Sequence, residues 1–301
     1  MHHHGDKKVE AVRFLEQHVA ELDIRSDALD RVVTVRLLTP RDWVPRSSRT
    51  WPTLYLLHGG DDQPACWSER TDIGARALDA DVLVVLPPGG RAGFYTDWLL
   101  PDSYGTTPAW EQFHIRELHE LIETEFSGNG RRAVAGVSMG GYGAVTLAAK
   151  YPGRFAAAAS YSGMLHTTRL GTSALLHYFL RSVGERMKNM WGSRWSHRAH
   201  WRTSDPYWLV DELAATPLYI AAGDGDRVPG DPPAPGDRMI ERIVAPASRA
   251  LAKRLEQRGH PMIRTSFGAG THDWPSWQRE LGRSWPFLLA ALTEREISSM
   301  G

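Results

Sequence analysis

The stretch Arg132–Val137 is a short apolar run that ends directly on Ser138, and Gly140-Gly141-Tyr142-Gly143-Ala144 follows almost at once. A buried strand therefore passes into a small-residue helix with no linker. Gly136-Val137-Ser138-Met139-Gly140 fits the G-x-S-x-G pattern, in which a strained turn exposes the serine oxygen and flanking glycines let strand and helix approach. The pentapeptide alone is a weak signal; the strand before it and the helix after it make it specific. Such a unit belongs in a layered α/β architecture.

The rest of the chain has the same alternation. Arg31–Leu38, Trp51–Leu57, Asp81–Leu86, Phe155–Ser160, Pro217–Ala222 and Met262–Phe267 read as strands. Trp110–Phe126, Gly140–Lys150, Ile240–Arg258 and Trp274–Thr293 read as helices. This predicts a mostly parallel central sheet flanked by helices. Met164–Tyr207 interrupts the alternation without a clear strand, so a helical cap is expected over about residues 164–207. Val9, Val12, Leu15, Val19 and Leu22 stand at helical spacing, so residues 1–30 are expected to be an N-terminal helical extension, with the main domain over 31–295. Pro229–Gly236 is a Pro/Gly/Asp loop, and no internal repeat is present.

Composition narrows the function classes. The chain has 301 residues, 42% hydrophobic, with 35 Lys+Arg against 35 Asp+Glu, so no global field favours nucleic acid or an anionic membrane. No apolar run approaches the roughly 20 residues of a membrane span. Cys66 is the single cysteine, which excludes an intrachain disulfide and a cysteine-rich zinc site. A cytoplasmic location is expected on that basis, with a secreted bacterial fold lacking bridges as the other reading. Met1-His2-His3-His4-Gly5 has no apolar signal region.

A nucleophilic serine needs a base and a carboxylate that orients the base. Thirteen histidines compete. His272, in Gly270-Thr271-His272-Asp273-Trp274, follows the last strand, where the chain order serine, acid, histidine would put the base. His260 precedes that strand and belongs at the opposite edge. The acid is expected in Gly223-Asp224-Gly225-Asp226, and local chemistry leaves both aspartates open. The carboxylate spacing there does not fit an EF-hand calcium loop. An oxyanion would need two backbone donors, the Met139 amide and one from His58-Gly59-Gly60-Asp61, with Gly60 favoured.

These residues together resemble the esterase D family of α/β hydrolases, which includes S-formylglutathione hydrolases, tributyrin and feruloyl esterases and mycobacterial mycolyltransferases. The resemblance spans about Val32 to Leu292. It is carried by Leu56-Leu57-His58-Gly59-Gly60 with Trp67, Phe94-Tyr95-Thr96-Asp97-Trp98, the Ser138 motif, Tyr219–Asp226, and His272-Asp273-Trp274-Pro275-Ser276-Trp277. It implies an α/β-hydrolase fold with a helical cap and a serine esterase acting on a carboxylic ester or thioester. Transfer of the acyl group to a sugar or other alcohol is the alternative; a non-catalytic binding protein on this fold is more remote. It implies Asp226 as the acid and Gly60 as the second oxyanion donor. Trp67, Tyr95, Asp97, Trp98 and Trp274 are the expected substrate contacts, and no cofactor is implied.

The expected cap departs from the family pattern. It carries Arg169, Arg181, Arg186, Lys188, Arg194, Arg198 and Arg202 against Glu185 and Asp205, with Trp191, Trp195 and Trp201 interleaved. A solvated face over packed aromatics is the plainer reading. The sharper one makes Arg198 and Arg202 part of a wall for an anionic or glycosidic piece of a small-molecule substrate. If one helix ran from Arg194 to Arg202, its four-residue spacing would align three guanidiniums. His197 and His200 lack a carboxylate partner, so no metal site is expected. Cys66 reads as a packed thiol, since no basic residue adjoins it in sequence.

Overall fold

A computed structural model describes residues 8–45, 47–231 and 235–293. Nine strands form one sheet: β1 (Val9–Glu16), β2 (Val19–Ser26), β3 (Arg31–Leu38), β4 (Trp51–Leu57), β5 (Leu83–Leu86), β6 (Gly128–Val137), β7 (Ala157–Tyr161), β8 (Leu218–Gly223) and β9 (Ile263–Gly268), in the order β1-β2-β3-β5-β4-β6-β7-β8-β9. Strands β4 to β9 are parallel where they pair, and β1, β2 and β3 add an antiparallel edge. Chain order reverses around β4 and β6, so their C-terminal ends open onto a crevice, where open α/β sheets place their sites.

Successive side chains alternate between the two faces of the sheet, and both faces are buried at its centre. Leu54, Leu56, Val84, Leu86, Ala133, Ala135 and Val137 pack on one side, with α1 (Cys66–Arg70), α2 (Ile73–Asp79) and the long C-terminal helix over them. Tyr55, Leu57, Val85, Val134, Leu218 and Ile220 face the other layer. That layer includes α3 (Trp110–Gln112), continued by a π-helical stretch over Phe113–Leu118 into α4 (His119–Glu125), and α5 (Met139–Lys150). Between β7 and β8 lie α6 (Leu170–Ser182), α7 (Met187–Trp191) and α8 (Arg198–Thr203). The final helices are α9 (Pro235–Gln257) and α10 (Trp274–Thr293). No helix among the described residues is long and apolar enough to cross a membrane.

The expected N-terminal helix is a β-hairpin. β1 pairs antiparallel with β2, and β2 continues in register along β3. Ala20, Leu22 and Ile24 are buried on alternate positions, while Val12, Phe14 and Leu15 are exposed on the edge strand. Arg13 spans the pair to Glu21 and Asp23. Residues 8–30 are thus part of the sheet rather than a separate extension; residues 1–7 lie outside those described.

Candidate active site

Ser138 sits between β6 and α5 at φ 52° and ψ −115°, a left-handed conformation costly for any residue but glycine. The surroundings hold it there. Its N–H donates to Tyr161 O at 2.9 Å, and its carbonyl accepts from Tyr142 N at 3.0 Å. A Cβ on Gly136 would overlap the Gly140 backbone, and one on Gly140 would overlap the Leu57 carbonyl. Both glycines of the motif are therefore required by backbone-to-backbone approach.

His272 Nε2 lies 2.8 Å from Ser138 Oγ, and His272 Nδ1 lies 2.8 Å from a carboxylate oxygen of Glu241. With Nδ1–H donating to the carboxylate, Nε2 is left to accept the serine proton. Glu241 lies in α9 and is fully buried. Its other oxygen accepts from Ser162 Oγ at 2.8 Å and from Gly223 N at 2.6 Å. Trp277 Nε1 in turn donates to Ser162 Oγ at 3.1 Å, and its indole meets the His272 ring edge to face at 5.1 Å. Buried polar groups need hydrogen-bond partners, and three donors meet the Glu241 carboxylate: Ser162 Oγ, the Gly223 amide and His272 Nδ1.

The expected acid, Asp226, is not at this site. Its carboxylate is 63% exposed and pairs with Arg238 and Arg242 at 3.3 and 3.0 Å. Asp224 accepts from the Asp226 amide at 2.7 Å. Gly225, at φ 85°, packs against Arg238 and Arg242 of α9; the turn gives both aspartates local partners instead of His272.

The Gly59-Gly60 loop lies against the serine: a Cβ on Gly59 would stand 3.6 Å from the Ser138 Cβ. Buried His58 anchors the loop. Its Nδ1–H donates to Gly59 O at 2.7 Å and its Nε2 accepts from Gly89 N at 2.8 Å. Burial lowers its pKa, which suits a neutral ring that must both donate and accept. Among the described residues the Gly60 N–H has no hydrogen-bond acceptor, and neither has that of Met139, the first residue of α5. The ring of Phe179, from α6, lies directly on Gly60 and would be overlapped by any Cβ there.

Of the residues expected to touch substrate, Trp67, Tyr95 and Trp98 are buried and bonded within the fold. Trp67 is fully buried and donates to Leu57 O at 3.2 Å. Tyr95 is buried and donates to His58 O at 3.0 Å. Trp98 is buried and donates to Gly93 O at 3.2 Å. Asp97 accepts from the Glu111 and Gln112 amides, tying down the start of α3; burial pushes its carboxyl up from the usual range. Trp274 is half-buried between Trp67 and Trp277, both at 5.2 Å edge to face. Cys66 is buried, and burial raises its thiol pKa.

Arg198 and Arg202 line a pocket to which none of these residues contributes. It has a volume of about 350 Å³, and His166, Thr168, Arg194, Trp201 and Trp208 complete its lining. The single helix from Arg194 to Arg202 is not formed, because α8 starts at Arg198. Arg194 reaches the same pocket from the preceding turn.

A mostly parallel sheet, a serine on a strained strand-to-helix elbow, a histidine after the last strand and a buried carboxylate behind it define an α/β hydrolase. Residues 26–288 match the family model described as "Putative esterase", and the chain belongs to that family. It is 33% identical over 244 residues to Esterase MT1326 of Mycobacterium tuberculosis, a match covering 75% of this chain and 50% of that protein. The chain thus spans half the length of that relative. It is 30% identical over 253 residues to Diacylglycerol acyltransferase/mycolyltransferase Ag85B of Mycolicibacterium smegmatis, covering 79% of this chain and 77% of that one. The solved structure of Mycobacterium tuberculosis MPT51 is similar in fold, with TM-score 0.77, 24% identity, and coverage of 90% of this chain and 97% of that one.

Proposed function

We propose that this chain is a serine esterase that cleaves a carboxylic ester or thioester through an acyl-Ser138 intermediate. His272 Nε2 takes the Ser138 proton as Oγ attacks the carbonyl carbon. The carbonyl oxygen becomes an oxyanion held by the Gly60 and Met139 N–H groups. The C–O or C–S bond then breaks, and His272 returns the proton to the leaving alcohol or thiol. Water, deprotonated by the same imidazole, attacks the acyl-enzyme and releases the acid. Glu241 holds the Nδ1–H tautomer and stabilises the imidazolium through both steps. The observation that carries this reading is the continuous pair of 2.8 Å contacts from Ser138 through His272 to Glu241.

Acyl transfer uses the same intermediate with an alcohol replacing water. The Ag85B relative, named as an acyltransferase, favours keeping that second reading. The test is a p-nitrophenyl ester series with mass detection of an acyl adduct on Ser138, run with and without sugar or glycerol acceptors. Wild-type chain should take up one acyl mass and Ser138→Ala none. A folded Ser138→Ala with wild-type turnover would remove the proposal. Acylated acceptor in place of free acid would select transfer.

A further inference from the structure

The pocket formed by α8 and the turn after β7 has a chemistry of its own. Arg194, Arg198, Arg202 and His166 line it together. None of the three arginines pairs with a carboxylate among the described residues. Arg194 donates to Thr168 O at 2.7 Å and to Ser173 Oγ at 3.1 Å, with its guanidinium 5.4 Å from the Trp201 ring centre. Arg202 stacks over Trp208 at 4.8 Å, and Arg254 lies over the same ring at 4.9 Å. The indole faces are thus taken up by arginines, which they hold in place without neutralising. Arg198 is exposed and has no hydrogen-bond partner among the described residues.

His166 is oriented as firmly. Its Nδ1 lies 3.1 Å from fully buried Asp205, and its ring stacks on Tyr207 at 3.9 Å. Thr168 also spends its hydroxyl proton on Asp205, at 2.6 Å, so the carboxylate bonded to the pocket wall already accepts from His166, Thr168 and the Tyr207 amide. Three guanidiniums without a carboxylate partner around one cavity repel one another unless an anion joins them. Guanidinium forks match the tetrahedral oxygens of phosphate. The volume of about 350 Å³ falls within the roughly 300–1,000 Å³ range of small-molecule sites.

We propose that this pocket is a binding site for a phosphate group, either the free ion or a phosphate carried on a sugar-sized molecule. Trp201 and Trp208 in the wall supply the readout. The full chain would be titrated with inorganic phosphate, glucose 6-phosphate and glucose while tryptophan fluorescence is followed, at low and at high sodium chloride. A saturable change with the two phosphates, none with glucose, and affinity that falls as salt rises is the expected result. Arg198→Gln should weaken phosphate binding about tenfold while p-nitrophenyl butyrate hydrolysis and thermal midpoint stay unchanged. Arg198→Gln combined with Arg202→Gln should weaken it further. Glucose 6-phosphate binding more tightly than phosphate assigns the site to a carried phosphate; equal affinity assigns it to the free ion. No saturable change, equal response to glucose, or unaltered affinity in Arg198→Gln overturns the proposal. Arg198 is exposed, so its substitution does not put folding at stake. The binding arm needs no ester, so loss of the esterase reading would leave this result standing, and the reverse also holds.

Discussion

Glu241 and His272 are 31 residues apart in the chain and 2.8 Å apart in space, one in the middle of a helix and the other in the loop after the last strand. The contact separates two carboxylates that the sequence presents very differently. Asp226 stands in the expected strand-end loop but is exposed and held by two arginines. Glu241 should therefore govern activity. Glu241→Gln keeps the shape, but its amide can present an N–H to Nδ1 and favour the wrong tautomer, so kcat/KM on p-nitrophenyl butyrate should fall by about 10³-fold or more. Asp226→Asn should change it less than about twofold, because exposed ion pairs contribute little. The reverse ranking would return the acid role to the loop.

Phe179 and Gly60 make a second relationship that activity can read. The ring of Phe179 rests on Gly60 and packs edge to face with Phe94 at 6.1 Å. Helix α6 thus places a large apolar group over the amide proposed to hold the oxyanion. Phe179→Ala should open room beside that amide and shift preference toward longer acyl chains. In a p-nitrophenyl ester series the optimum should move by at least two carbons, with kcat on the acetate ester within about tenfold of wild type. An unchanged chain-length profile would place the ring outside the acyl path.

The elbow can be tested by stability. A methyl group at Gly140 has nowhere to go, since its nearest neighbours are backbone atoms of Leu57 and His58. Gly140→Ala should cost about 3 kcal/mol or more in urea unfolding, the upper end of overpacking effects. Gly74→Ala is the control, because a Cβ there meets nothing within 4 Å and the residue is helical. That change should be neutral or stabilise by up to about 1 kcal/mol. Equal costs at the two sites would mean that the close approach of β4 and α5 is not a constraint.

The Ser138 elbow and His272 were legible because their signals are local. A strand running into serine and glycine can only turn sharply, and a histidine beyond the final strand has one end of the sheet to occupy. Glu241 left no such mark. It lies in a long helix whose sequence reads as an ordinary amphipathic face, and only tertiary packing brings it to Ser162, Gly223 and His272. The Asp224–Asp226 loop supplied a better local candidate than the true contact. Val9, Val12, Leu15, Val19 and Leu22 satisfy a helical period, yet Ala20, Leu22 and Ile24 also alternate. Pairing along β3 decided between the two readings, since a strand there buries those three residues and bonds an open sheet edge. Trp67 and Tyr95 bond to the carbonyls of Leu57 and His58, beside the Gly59-Gly60 loop. Whether a side chain faces substrate or the wall behind it depends on packing that residue type does not disclose.

Three buried histidines predict how stability responds to acid. Burial lowers the pKa of His58, brings His114 down to about 4, and lowers His119 as well. In the unfolded chain each titrates near its ordinary value of about 6.5. Between that value and the folded ones the unfolded state binds protons that the folded state refuses. Stability is therefore full above about pH 6.5 and declines as pH falls toward 4. For His114 alone the difference is about 2.5 units, roughly 3 kcal/mol when complete. Carboxylates that the fold stabilises, such as Glu21, Asp23 and Asp72, are held below their usual range and lose their contribution only at lower pH. Asp97 and Asp237 are raised by burial and act in the opposite sense. Between about pH 6.5 and 5 the three histidines therefore draw stability down. Urea midpoints measured at pH 7.5, 6.5, 5.5 and 5 (chosen on the ~6.5 reference) should be level between the first two and then fall steadily. Midpoints that stay level down to the lowest of these would mean that the three rings take up protons in the folded state.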